Sequence, residues 1–164
     1  MKHILIAGLL VFLSNLTPAQ NNHNHEHHHH TDLHNYHVGI GGAATYLKSE
    51  SQFAPGVHVH FIRQFGHQNR WGLGLGFETI FDEHQHNGIN LLVNYHPLKQ
   101  LSVNAGPGIL FTTHDGEKER KPAFHTEAVY EFNVGKFHVG PMGGFGFDKD
   151  VAHFSMGVHV GLGF

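Results

Sequence analysis

The sequence predicts an all-β protein, an eight-stranded antiparallel up-and-down β-barrel. From Tyr36 onward, apolar residues recur at every second position in eight segments separated by turn residues. A period of two indicates strands, and no helical period of 3.6 residues occurs in this part of the chain. The 21 glycines and 14 phenylalanines are more typical of barrels than of helical proteins.

The eight strands can be placed in order by their apolar phases. These phases begin at Tyr36, Val57, Trp71, Ile89, Leu101, Phe124, Phe137 and Phe154. The predicted connections are 48–53, 67–70, 83–87, 97–100, 115–122, 135–136 and 148–150. Each contains polar, Gly or Pro residues that favour turns. Pro107 and Pro141 fall inside strands, where we expect bulges or kinks.

The aromatic residues follow the same phase in every segment. Seventeen of the 18 aromatic residues beyond position 19 lie in the apolar phase, and the exception, Phe53, is predicted to lie in a loop. Many of them cluster at strand ends, as expected of two girdles at two membrane interfaces. The alternation therefore predicts one continuous apolar surface around the barrel.

The charges indicate which face of the barrel is apolar. Of the nine cations beyond Lys2, eight lie in predicted loops or turns, and only Arg63 lies in a strand. A water-facing exterior carries many Lys and Arg residues, whereas here the polar phase holds Gly, Asn, Ser, His and a few Glu residues. This composition favours a crowded lumen and an apolar exterior in contact with lipid. The barrel is therefore predicted to be transmembrane.

The terminal strand carries a resemblance to a known class. Phe154, Met156, Val158, Val160, Leu162 and Phe164 alternate with small or polar residues, and the strand ends on an aromatic residue. This pattern resembles the terminal strand of small eight-stranded bacterial outer-membrane β-barrels of OmpA-, OmpX- or OmpW-like architecture. The resemblance covers 36–164 by pattern. It implies the outer membrane of a Gram-negative bacterium, assembly by its barrel-assembly machinery, and both termini in the periplasm.

Two segments precede the predicted barrel. Residues 1–19 have a short basic start, an apolar run from Ile4 to Leu13 and small residues before Gln20, which predicts a signal peptide. Residues 20–35 are polar and rich in histidine, without apolar periodicity, which predicts a disordered periplasmic segment. The chain has no cysteine and a formal charge of −3, and this mild acidity argues against nucleic acid as a partner.

The histidine-rich segment is the clearest chemical feature. Its histidines are His23, His25, His27, His28, His29 and His30. Imidazole suits zinc, copper and nickel, and dense spacing on a flexible chain lets several rings reach one ion. The functional interpretation is a periplasmic arm that captures metal ions, and the alternative is a polar spacer. No obligatory cofactor is predicted, and the metal ions that could bind are zinc, copper or nickel.

A second group of candidate metal ligands lies in the polar phase of the strands. His58, His125, Glu127 and His153 are predicted near the outer mouth of the barrel, with His60 just below them. Histidine and glutamate are good zinc ligands. The alternative is a plug of polar residues that hydrogen-bond to one another, because small barrels fill their interiors with side chains.

These observations predict a non-enzymatic outer-membrane barrel that binds divalent metal ions, acting in metal capture or tolerance. Two alternatives remain at this point: a small-solute channel, suggested by glycines in the polar phase, and a purely structural barrel. An enzymatic interpretation rests only on the His153–Ser155 spacing, which resembles that of outer-membrane lipid A deacylases. Nothing acidic follows Asp150 to complete such a site.

Overall fold

The computed structural model describes residues 35–114 and 117–164. The strands in these ranges are β1 (Tyr36–Leu47), β2 (Gln52–Phe65), β3 (Trp71–Ile80), β4 (His86–Leu98), β5 (Leu101–His114), β6 (Glu117–Tyr130), β7 (Phe132–Val134), β8 (Phe137–Asp148) and β9 (Ala152–Gly163). A single 3-10 turn, His67–Asn69, joins β2 to β3. Both β6 and β7 pair with β8 in one register, so together they form one barrel strand. The predicted eight-stranded antiparallel barrel is confirmed.

Within the described residues, no helix is both long enough and apolar enough to cross a membrane.

The barrel closes because β1 pairs with both β2 and β9. Following paired residues once round the sheet from Tyr36 leads back to β1 at Tyr46, a stagger of ten residues. The path runs through Arg63, Leu73, Val93, Ala105, Thr126, Phe145 and Phe154. For eight strands, this stagger implies a tilt of about 40° from the barrel axis. Residues far apart in sequence are thereby brought to one level of the lumen.

The apolar phase lies on the outside of the barrel. Leu75 is 50% exposed and Met156 is 76% exposed, although both lie in mid-strand. The prediction that Phe53 lies in a loop is wrong: it lies in β2 in the outward phase, with its ring 5.1 Å from that of Tyr46. Phe53 therefore extends the apolar exterior instead of interrupting it.

The β5–β6 hairpin is longer than the sequence predicted. These strands pair as far as His114 and Glu117, and β6 meets β8 only from Ala123 onward. The predicted loop at 115–122 is therefore mostly strand, because cross-strand pairing overrides the local turn preference of its charged residues. Lys118, Arg120 and Lys121 lie in β6 and not in a loop.

Lys121 connects this hairpin to the turn before β9. Its Nζ lies 2.9 Å from Asp150 Oδ2 and 3.0 Å from Glu119 Oε2. Hydrogen bonding to the Lys121 ammonium holds the pKa of the Asp150 carboxyl below its usual range.

The two strand prolines do not produce the expected bulges. The β5–β6 and β8–β9 registers are unchanged on either side of Pro107 and Pro141. The β4–β5 ladder is also in register on either side of Pro107, but it has a gap opposite that residue, between Asn90 and Val93. The β4–β5 ladder thus accommodates the missing N–H of Pro107 by a local gap in its hydrogen bonds, without a change of register. A register shift does occur in β4, between Tyr95 and Leu98.

A charge on the outward face tests whether that face meets lipid. We expect Leu75→Arg, in the middle of β3, to destabilise the barrel in lipid vesicles by about 2–4 kcal/mol, because it places a cation at the bilayer midplane. The matched control is Leu98→Arg at the end of β4, where the expected cost is about 0–1 kcal/mol. Denaturant unfolding in vesicles measures both variants. Equal costs at the two depths would contradict a membrane-spanning exterior.

Candidate metal centre

Polar and titratable side chains fill the inward phase of the strands. The buried ones include His37, His60, Asn94, Asn104, His125, Glu127, His153 and His159. Strand alternation places them there, because their neighbours in sequence are the apolar residues of the exterior. Burying this many polar groups is costly unless they bind one another or a ligand. The contacts among them therefore identify what the lumen can do.

The middle cluster consists of His58, His60, Glu127 and His159. One ligand atom of each residue lies within 4.8 Å of those of the others. His58 Nε2 is 3.2 Å from Glu127 Oε2, and His60 Nδ1 is 3.9 Å from Glu127 Oε1. The rings of His60 and His159 stack at a centroid distance of 5.0 Å. Three imidazoles and one carboxylate thus converge on one point of the lumen.

Several atoms of the middle cluster are buried without a hydrogen bond. They are His58 Nε2, His60 Nε2, Glu127 Oε2 and both ring nitrogens of His159. Although His58 Nε2 and Glu127 Oε2 are close, their geometry does not satisfy that of a hydrogen bond. Each buried unpaired polar group costs about 1–3 kcal/mol. These atoms could therefore bind a ligand, because the protein itself supplies no hydrogen-bond partner for them.

An amide network holds Glu127 in place. Asn104 Nδ2 donates to Glu127 Oε1 at 3.2 Å, and Asn94 Nδ2 donates to Asn104 Oδ1 at 2.8 Å and to Ser102 Oγ at 2.8 Å. All four residues are buried. Hydrogen bonds of this kind orient a carboxylate ligand and tune its affinity for a metal. One oxygen of Glu127 is thus fixed while the other faces His58.

The upper cluster consists of Glu78, His125 and His153. Glu78 Oε2 lies 3.1 Å from His125 Nδ1 and 3.9 Å from His153 Nε2. It adjoins the middle cluster, because Glu78 is paired with His58 across β2 and β3. One cavity is lined by all three residues of the upper cluster together with His58.

The lower cluster consists of His37, His138 and His159, near the end of the barrel where Tyr36 and Phe164 pair. His37 Nε2 and His138 Nε2 are hydrogen-bonded at 2.8 Å. Glu131 Oε1 lies 3.8 Å from His138 Nε2. His159 belongs to both this cluster and the middle cluster.

A fourth group, the rim cluster, lies at the opposite end of the barrel. It consists of Glu50, Asp82 and His86. His86 Nδ1 lies 2.7 Å from Asp82 Oδ2, and the His86 amide donates to Asp82 Oδ1 at 3.2 Å. Leu47, Ala54 and Ile80 form a small apolar cluster at the same end of the barrel.

Glycines on neighbouring strands make room for the imidazoles. A Cβ at Gly39 would overlap His60 and His159, and one at Gly41 would overlap His58. Gly146 faces His153 in the same way, and Gly161 faces His37 and His138. These four glycines therefore do not empty the lumen, because the imidazole rings of adjacent strands occupy the space they leave.

The structure separates the predicted barrel ligands into two clusters. His58, His60 and Glu127 meet in the middle cluster, whereas His125 and His153 join Glu78 in the upper cluster. The histidines of 20–35 lie outside the described residues. The structure adds Glu78, His138 and His159, which the sequence did not identify as candidate ligands. Their inward phase was visible in the sequence, but their neighbours depend on the stagger of the closed sheet.

The comparisons with known proteins bear on the fold. No protein-family model matches the chain, and no curated protein matches it. The N-terminal β-barrel domain of Pseudomonas aeruginosa OprF superposes with a TM-score of 0.59 at 14% identity, covering 80% of this chain and 98% of that one. Ail, the attachment invasion locus protein of Yersinia pestis, solved with the heparin analogue sucrose octasulfate, gives 0.52 at 17% identity, covering 79% and 97%.

A third solved structure, Neisserial surface protein A, gives a TM-score of 0.52 at 8% identity, covering 79% of this chain and 97% of that one. At these identities the likeness concerns the fold alone. The chain has the architecture of the small eight-stranded outer-membrane β-barrels, as its terminal strand predicted.

Substituting a lumen glycine tests the packing of the middle cluster. We expect Gly39→Ala to destabilise the barrel by about 1–3 kcal/mol, because the added methyl must displace buried imidazoles. The matched control is Gly42→Ala on the same strand, where a Cβ meets nothing within 4 Å. Denaturant unfolding measures both variants. A Gly39 variant as stable as the Gly42 variant would show that the rings do not pack as described.

Proposed function

We propose that this protein is an outer-membrane barrel that binds divalent transition-metal ions, in its lumen and in its histidine-rich segment, for metal capture or tolerance. The observation that carries the proposal is the middle cluster. His60 is 3% exposed, Glu127 is 2% exposed and His159 is 0% exposed, and each has a buried atom without a hydrogen bond. A bound cation would satisfy these atoms together.

The ligand types favour particular metals. Three imidazoles with one carboxylate suit zinc, copper or nickel, whereas magnesium and calcium prefer oxygen ligands. In a tetrahedral zinc site with bonds of about 2.1 Å, ligand atoms lie about 3.4 Å apart. The candidate ligand atoms all lie within 4.8 Å of one another, so small side-chain movements would complete a site. The amide network on Glu127 would then supply the outer hydrogen bonds that such sites use.

The proposed location is the bacterial outer membrane, with both termini on the periplasmic side. The exposed apolar exterior and the fold shared with outer-membrane barrels support the membrane. An even number of strands returns the chain to the side on which it started. The barrel-assembly machinery would insert the barrel into the membrane, and residues 20–35 would lie in the periplasm.

Side-chain packing favours a filled lumen over a small-solute channel. Ile62, Leu92, Val129 and Met142 are buried side chains of the inward phase, each at most 5% exposed. Of the glycines that suggested a passage, Gly39, Gly41, Gly146 and Gly161 lie against imidazoles, and Gly72 and Gly76 lie against Ile62 and Leu92. A chain that binds no metal at all would leave the purely structural barrel as the better interpretation.

Metal binding in the lumen can be measured in the full chain after the histidines of the histidine-rich segment have been replaced. We replace the six segment histidines by Asn and titrate the purified barrel with Co²⁺, whose absorption bands report tetrahedral coordination. Glu127→Gln should weaken binding about tenfold or more, a loss of at least about 1.4 kcal/mol, because it removes an anionic ligand. His67→Ala, which alters an exposed histidine in a turn, is the control and should bind as the parent does.

Binding that is unchanged by Glu127→Gln would contradict the lumen site. A parent that shows no tetrahedral cobalt spectrum at all would also contradict it.

The segment can be tested separately in cells. We expect the variant with six Asn residues to lose the growth advantage of the parent chain under zinc, copper or nickel excess or starvation, because it loses six imidazole ligands. The matched control changes Asn21, Asn22 and Asn24 to Ser and leaves every histidine. Growth curves across metal concentrations measure the effect. Identical curves for both variants and the parent would remove the proposed role of the segment.

A further inference from the structure

His159 lies between two clusters and has no partner for either ring nitrogen. Its side chain is fully buried, and neither Nδ1 nor Nε2 makes a hydrogen bond. Each nitrogen of an imidazole can bind one partner. The His159 ring is flanked by candidate partners in both the middle and the lower cluster. His159 is a candidate ligand in both the middle and the lower cluster.

The His159 ring contacts rings of both clusters, and its shortest ring distance, 5.0 Å, is to His60 of the middle cluster. Its ring centroid lies 5.8 Å from that of His58 in the middle cluster and 5.8 Å from that of His138 in the lower cluster. The His37 ring is also 5.8 Å away. Ions held in the two clusters would therefore be immediate neighbours, separated by the His159 ring.

The strand register explains why one residue can serve both clusters. His159 is paired with Gly41 of β1 and Gly140 of β8. Neither neighbour has a side chain, so the ring is covered instead by imidazoles from adjacent positions. On β1, Gly39 provides the space in which the rings of His60 and His159 lie together. On β9, Gly161 leaves the space that His37 and His138 fill.

We propose that His159 is a shared ligand that links two metal positions in the lumen, one in the middle cluster and one in the lower cluster. This proposal rests on the proposed metal-binding function and adds that the two positions are coupled. The upper cluster is a separate position, because it shares no residue with either of the others. An ion can then move between the linked positions by exchanging ligands on one ring, without crossing an apolar layer.

A shared His159 ligand predicts that a proton is released when both metal positions are filled. When both positions are filled, His159 binds one ion through each nitrogen and must release its remaining ring proton to solvent. At the lower position, the ring that donates the His37–His138 hydrogen bond must carry its proton on Nδ1 so that both Nε2 atoms can bind the ion, which releases no net proton. Filling the lower position after the middle one should therefore release protons, which calorimetry in buffers of different ionisation enthalpy detects.

Copper provides the test because Cu²⁺ is paramagnetic. In the full chain with six Asn residues in its segment, the first ions should give an ordinary electron paramagnetic resonance signal. As the linked position fills, magnetic coupling through the His159 ring should lower the signal per ion. His37→Ala should abolish this coupling and keep the middle position. His153→Ala should remove only the upper position and leave the coupling intact.

His159→Ala is the decisive variant. It should weaken the middle and lower positions together by about tenfold or more, and it should leave the upper position unchanged. His159→Gln, which keeps a polar side chain in the cavity, guards against a folding defect and should give the same loss of coupling. Denaturant unfolding confirms that each variant is folded.

Two results would overturn the shared ligand while leaving lumen metal binding in place. One is a loss confined to a single position in both His159 variants, and the other is a parent that fills both positions without coupling. A parent that binds no copper in its lumen would instead refute the proposed function itself.

Discussion

The pairing of the first and last strands, with its stagger of ten residues, is the constraint on which the rest of the structure depends. Closure leaves the barrel wall without a free edge, so its backbone groups can pair within the sheet except at local gaps such as the one opposite Pro107. It also gives each side chain only two directions, toward lipid or toward the lumen. The stagger then sets which inward residues meet, and it brings His58 and His60 of β2 to Glu127 of β6 and His159 of β9.

The residues that fill the lumen are determined by the available volume as well as by their chemistry. An eight-stranded barrel has little internal space, and imidazole rings are large relative to that space. Glycine at the positions facing the rings resolves the conflict, as at Gly39 and Gly161. This pairing of ring and glycine explains how so many histidines occupy one lumen. It leaves several of their nitrogens without hydrogen bonds, which a packed structural plug would not require.

The clusters differ in how far the protein satisfies them. In the rim cluster, His86 and Asp82 bind each other directly, and in the lower cluster His37 and His138 do the same. The middle cluster has a carboxylate oriented by Asn104, but His58 Nε2, His60 Nε2 and both ring nitrogens of His159 make no hydrogen bond. A group that is oriented yet incompletely bonded is what a ligand site requires, and this distinguishes the middle cluster from an ordinary polar core.

The sequence by itself determined the fold class, the outward face and the set of inward residues, because a period of two assigns each side chain to a face. Phe53 and Glu117–Pro122 were predicted wrongly, because β2 begins two residues earlier than the turn pattern suggested and because pairing with β5 extends β6. Only the tertiary structure decided which inward residues meet. Glu78 with His125, and His159 with two clusters, are contacts between strands whose relative register depends on closure of the whole barrel, and no local pattern encodes that register.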